Sequence, residues 1–145
     1  MNENIELIKY IYQNAEMGFY ACKKIIKSLE QKDNKIKDAL EDIMNKYEFF
    51  FNESRNIILD NSYKIKDVGL FTKVGASMGI KAEVSTDNSD SAIAKLLIQG
   101  LTMGILDIKA HIKNLRKDVN KDIKKIASEY LKFQDNSVNK LNKFL

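Results

Sequence analysis

Apolar residues recur along this chain at alternating steps of three and four, the repeat of a helix that buries one face. Near the N-terminus, Ile5, Ile8, Tyr12, Ala15, Phe19, Cys22, Ile26 and Leu29 predict a helix from Asn4 to Gln31. A second register, Ile36, Leu40, Ile43, Tyr47, Phe50, Ser54 and Ile57, predicts another from Lys35 to Asp60. The most apolar long segment runs from Asp90 to Lys117. Its expected inward line is Ile93, Leu97, Gly100, Gly104, Asp107 or Ile108, His111 and Leu115. A last helix, from Lys121 to the end, follows Ile123, Ile126, Tyr130, Phe133 or Gln134, Ser137, Leu141 and Phe144. At 1.5 Å per residue, helices of about 25 residues are roughly 40 Å long.

The links between these stripes set the expected topology. Lys32 to Asn34 is a short polar turn in which Asp33 or Asn34 can cap the second helix. Asn61 and Ser62 stop that helix. Asp42 and Lys46 form an i,i+4 pair on its outside, worth a few tenths of a kcal/mol. Asn88 or Ser89 caps the third helix and Asn120 the fourth, with Lys117 to Asn120 as a tight turn between them. Between the second and third stripes lies a long link, Ser62 to Ser89. Leu70 or Phe71, Val74, Met78 and Ala82 keep helical spacing there and predict a short helix from Val68 to Glu83, despite Gly69, Gly75 and Gly79. Two antiparallel hairpins joined by one crossover form a four-helix bundle. Gly100 and Gly104, four apart, are expected on one face, where their missing side chains would let another helix approach closely.

Composition narrows the setting. The 145 residues suffice for one domain, 1–145, with a core of its own. Proline is absent, so nothing interrupts long helices by its ring. The single cysteine, Cys22, excludes an intramolecular disulfide and fits a reducing compartment. The opening MNENIELIKY has no basic start and no short apolar run, which is unlike a secretory signal. The longest uncharged apolar run, Leu96 to Leu106, is about half of what a membrane span needs. The expected location is the cytoplasm. A net charge of +4, with lysines and carboxylates mixed along the chain, argues for a solvated surface and against a nucleic-acid face. No phosphate-binding glycine loop, nucleophile elbow, zinc spacing or calcium loop occurs.

With two hairpins, a crossover, and the segments IAKLLIQGLTMGILDIKAHI and KFQDNSVNKLNKFL, the chain resembles the ferritin-like superfamily, including the small rubrerythrin-like and spore-coat-like bundles of bacteria. The resemblance covers essentially the whole length and is architectural. It implies an all-α, ferritin-like antiparallel bundle with a short extra helix in the crossover. The family's di-metal site takes one inward glutamate from each of two helices and a Glu-x-x-His motif from each of the other two. This sequence departs from that pattern. Its single histidine, His111, follows Ile108 at the third position back, and no Glu-x-x-His is present. The fourth helix offers Gln134 and Ser137 where such a motif would fall.

The candidates for a polar site in the core are therefore Tyr12, Glu16, Tyr47, Asp107, His111 and Gln134. Asp107 and His111 share a helix face and read either as half of a metal or acid–base site or as a plain hydrogen-bonded pair. Cys22 reads as a small core residue, because a nucleophile needs a lowered pKa and a neighbouring base. The resulting expectation is a non-enzymatic interaction or structural bundle, without a cofactor, self-associating as a homodimer through residues 68–83. The alternative is a minimal metal- or small-molecule-binding protein with a degenerate core site.

Overall fold

The computed structural model describes residues 3–62, 87–115 and 119–145. Among them are four helices and no strand: α1 (Glu3–Ser28), α2 (Lys37–Asp60), α3 (Asp90–Lys113) and α4 (Lys121–Asn142). They form an all-α bundle. α1 packs most extensively on α2 and α3 on α4, while α4 also meets α2 and α1, and α3 meets α1. The helix expected over 68–83 lies outside the described residues.

α3 and α4 begin where the sequence supplies a side-chain partner for free backbone N–H groups. Ser89 caps α3, its hydroxyl accepting from the Ala92 N–H at 3.2 Å. The Asn120 Oδ1 caps α4, accepting from Asp122 and Ile123 at 2.9 and 3.2 Å. α2 starts after Ile36 with no side-chain cap. The expected cap, Asn34, is used differently: its amide donates to the Asn88 carbonyl at 3.0 Å and to Asp90 Oδ1 at 2.8 Å. That contact ties the α1–α2 turn to the start of α3. At the other end, the Asn120 N–H donates to Asn4 Oδ1 at 3.1 Å and its amide to Asn61 Oδ1 at 3.4 Å. Asn61 closes α2, and Ser62 follows in the left-handed region at φ 59°. Asp42 pairs with Lys140 of α4 at 3.3 Å, not with Lys46 as its spacing suggested.

Four apolar stripes merge into one core. Leu7, Ile8, Ile11 and Ile25 of α1, Leu40, Ile43 and Ile58 of α2, Ile93, Leu97, Leu101 and Ile108 of α3, and Ile123, Ile126 and Leu141 of α4 are buried. Each such aliphatic side chain contributes roughly 1.5–3 kcal/mol by leaving water. Aromatic rings fill the contact between α2 and α4. Tyr47 meets Phe133 edge-on at 4.9 Å, and Phe50 meets Tyr130 edge-on at 5.1 Å. α1 can lie close to α2 because Gly18 faces Tyr47: a Cβ there would sit 2.3 Å from the ring.

The fourth stripe matches its expectation from Ile123 to Leu141. The third does not. Gly100 and Asp107 are exposed, and the buried line is Ile93, Ala94, Leu97, Leu101, Gly104 and Ile108. At 100° per residue the stripe turns toward Ile108, carrying Asp107 to the surface. By length and composition α3 would suffice to cross a membrane, at a mean hydropathy of 1.4, although no uncharged run reaches the length sought in the sequence. Only a third of that apolar window is buried inside the bundle.

Candidate functional site

Three pairs of residues, each spaced i,i+4, converge where α1, α3 and α4 meet. Tyr10 and Asn14 share one face of α1, Asp107 and His111 one face of α3, and Tyr130 and Gln134 one face of α4. The Tyr10 hydroxyl donates to Asp107 Oδ2 at 2.9 Å. The Asn14 amide Nδ2 donates to the Tyr10 oxygen at 3.4 Å. Asn14 Oδ1 in turn accepts from the Tyr130 hydroxyl and from Gln134 Nε2, the latter at 3.3 Å. The His111 ring packs against that of Tyr10 with centroids 5.0 Å apart.

The direction of this track follows from its outer end. An ionised carboxylate only accepts, so Tyr10 must donate to Asp107. The Tyr10 oxygen is then left to accept from Asn14 Nδ2. That turns Asn14 Oδ1 toward the core, where Tyr130 and Gln134 both donate to it. One surface carboxylate thus orients four side chains in sequence, ending at Gln134, which is 0% exposed. Gln134 Oε1 is buried and has no hydrogen-bond partner among the described residues. Gly104 makes room for this inner end: a Cβ at that position would lie 2.3 Å from Gln134 Nε2 and 3.4 Å from Asn14 Oδ1.

The hydroxyls of the track stay protonated at neutral pH. Burial raises the pKa of Tyr10, and its hydrogen bond to Asp107 and the charge there raise it further. Burial also raises Tyr130 well above the ordinary tyrosine range, with Tyr47 and Tyr10 adding to it. Tyr47 is shifted the same way, again mainly by burial. Cys22 is buried, and burial pushes its thiol up to about 12. None of these groups is poised as a base or a nucleophile, which would need a lowered pKa. Among the described residues no three His, Cys, Asp or Glu side chains are grouped to hold a metal ion.

The six candidates read from the sequence are therefore dispersed. Gln134 lies at the inner end of the track. Asp107 and His111 lie at its outer end; each meets Tyr10, with Asp107 exposed and His111 half-buried. Tyr12 is buried with its ring stacked on Phe51 at 4.8 Å. Tyr47 belongs to the aromatic contact with α4, and Glu16 is buried on α1. Sequence reasoning missed Tyr10 and Asn14. Their signal was an i,i+4 polar pair on α1, matching the spacing of Asp107 and His111, with Asn14 next to the buried Ala15.

Two surfaces lie outside the track. One is an open groove of about 890 Å³ between α2 and α4, floored by Ile43, Phe49, Phe50 and Phe133 and rimmed by Lys46, Glu129, Lys132 and the Asp42–Lys140 pair. The other is the outer face of α3, where Met103 is 66% and Leu106 63% exposed. No family model, no curated protein and no solved structure matches this chain.

Proposed function

We propose that this chain is a non-catalytic, ferritin-like antiparallel bundle that acts as an interaction or structural protein in the cytoplasm. The ties of Asn34 to Asp90 at one end, and of Asn120 to Asn4 and Asn61 at the other, support the antiparallel, crossed-over connectivity. One observation carries the functional reading. The most apolar of the four described helices leaves two large apolar side chains, Met103 and Leu106, exposed one helical turn apart. Exposed contiguous apolar surface of this kind marks interaction sites. The apolar spacing of residues 68–83 supports self-association as one of those interactions.

A second reading, a small ligand held in the bundle core, draws support from the buried Gln134 Oε1. Sedimentation velocity over a wide concentration range, together with metal analysis of untagged protein and of His111→Ala, separates the two. The interaction reading expects a concentration-dependent dimer that Phe71→Glu weakens, with no stoichiometric metal. A strict monomer holding stoichiometric metal that His111→Ala loses would overturn it.

A further inference from the structure

We infer that the outer face of α3 is a docking strip for a partner helix whose own apolar stripe is bordered by carboxylates. This rests on the interaction reading and names the chemistry of its partner. Ala92, Leu96, Gln99, Met103, Leu106 and Ala110 follow at steps of four, three, four, three and four, the repeat of a coiled-coil seam. The seam runs opposite the buried line through Leu97, Leu101 and Gly104. Leu96 also packs partly against the core, so among the described residues the uncovered part of this outer seam runs from Gln99 through Met103 and Leu106 to Ala110.

Gly100 borders the outer seam. A Cβ there would meet nothing within 4 Å among the described residues, so their packing does not need a glycine at this position. A mid-helix glycine costs about 1 kcal/mol relative to alanine. What it allows is close approach of a second backbone from outside. The strip is narrow and includes Gln99 and Thr102, which suits one helix better than the broad apolar face that enters a lipid surface.

Charge selects the partner. No charged residue lies between Leu96 and Leu106, and exposed Lys95, Lys109 and Lys113 frame that stretch. Of the carboxylates near this rim, Asp107 accepts the Tyr10 hydroxyl and Asp87 feels the charge of Lys95. A second copy of α3 meets these requirements poorly. Paired antiparallel with Leu96 against Leu106, each copy would place Lys95 beside Lys109 of the other, and like charges at flanking positions oppose pairing. Paired parallel, the flanking lysines find no carboxylate. Glutamates or aspartates at the flanking positions of a different helix would face Lys95 and Lys109, and a carboxylate at its end would face Lys113.

The test uses the full chain and two fluorescent four-heptad peptides with leucine at every a and d position, one with glutamate and one with lysine at e and g. Anisotropy is read at low and high salt, with phosphatidylglycerol vesicles as a third probe. The glutamate peptide is expected to bind at least about tenfold more tightly than the lysine peptide at low salt, with the margin shrinking at high salt. Leu106→Lys is expected to abolish binding while leaving the circular dichroism spectrum unchanged, and Lys95→Glu with Lys109→Glu to reverse the peptide preference. Equal affinity for both peptides, binding that Leu106→Lys does not reduce, capture by the vesicles in place of the peptide, or a homodimer dissolved by Leu106→Lys would each overturn the proposal. If neither peptide binds but Phe71→Glu dissolves a dimer, the strip fails while the interaction reading stands.

Discussion

Gly100 and Gly104 stand one helical turn apart on α3 and answer to different neighbours. Gly104 looks inward, where the Gln134 amide occupies the space a side chain would take. Gly100 looks outward into open space. The same contrast runs along the helix. Leu101 is buried in the core, whereas Leu106, five residues on, is largely exposed. Apolar composition alone therefore does not say what an apolar residue is for. On the inner face it supplies folding energy; on the outer face it stays exposed and adds little to the fold.

The inner face should respond most strongly to mutation. Asn14→Ala removes the joint of the track and leaves the buried Tyr130 hydroxyl and Gln134 amide without their acceptor. Buried polar groups left unpaired cost about 1–3 kcal/mol each, so denaturant unfolding should show a loss of about 2–4 kcal/mol. A loss below 1 kcal/mol would mean that the track does not bind the three helices together.

Alkaline pH offers a second probe of the same interior. Cys22, Tyr47 and Tyr130 hold their protons more tightly folded than unfolded, because burial disfavours their charged forms. Their contribution to stability is complete below the unfolded values, about 8.5 for cysteine and 10 for tyrosine. It is lost as pH rises from there toward the raised folded values. Unfolding free energy should hold steady up to about pH 8.5 and fall above it, more steeply past about pH 10, by up to about 1.4 kcal/mol per pH unit for each group. Stability unchanged to pH 11 would contradict the burial of these hydroxyls.

The two glycines give the sharpest contrast in sign. Gly104→Ala must push the Gln134 amide off Asn14, with a net loss of about 1–2 kcal/mol after the helix-propensity gain. Gly100→Ala meets no atom of the described residues and should stabilise by about 0.5–1 kcal/mol. Paired denaturation curves check both. Equal effects would erase the distinction between the faces.

Much of this was legible in the sequence. The positions of the four helices followed from the three-and-four repeat, and the α4 stripe was read correctly from Ile123 to Leu141 because polar residues, Lys124, Lys125, Ser128 and Glu129, occupy the positions off the inward line between Ile123 and Tyr130. α3 misled for the opposite reason. Apolar residues surround it, so several inward lines fit equally well: the line read took in Gly100, which is exposed, and left Asp107 and Ile108 as alternatives, of which Ile108 is the buried one. The ends of the helices were shorter than their stripes: α1 stops at Ser28 although Leu29 is buried just beyond it. The track was partly visible. Asp107, His111 and Gln134 stood out as polar residues near an apolar line, but Asn14 and Tyr10 did not. Their importance arises from three helices meeting, which no local pattern encodes.

The most direct test of the two-faced helix is a single variant, Leu106→Lys, measured for stability and for binding of the glutamate-flanked peptide. Charged substitution of an exposed residue outside the core should leave the unfolding free energy within about 0.5 kcal/mol of wild type and abolish peptide binding. A stability loss of about 2–5 kcal/mol, the range for truncating a buried leucine, would make Leu106 a core residue and contradict the account.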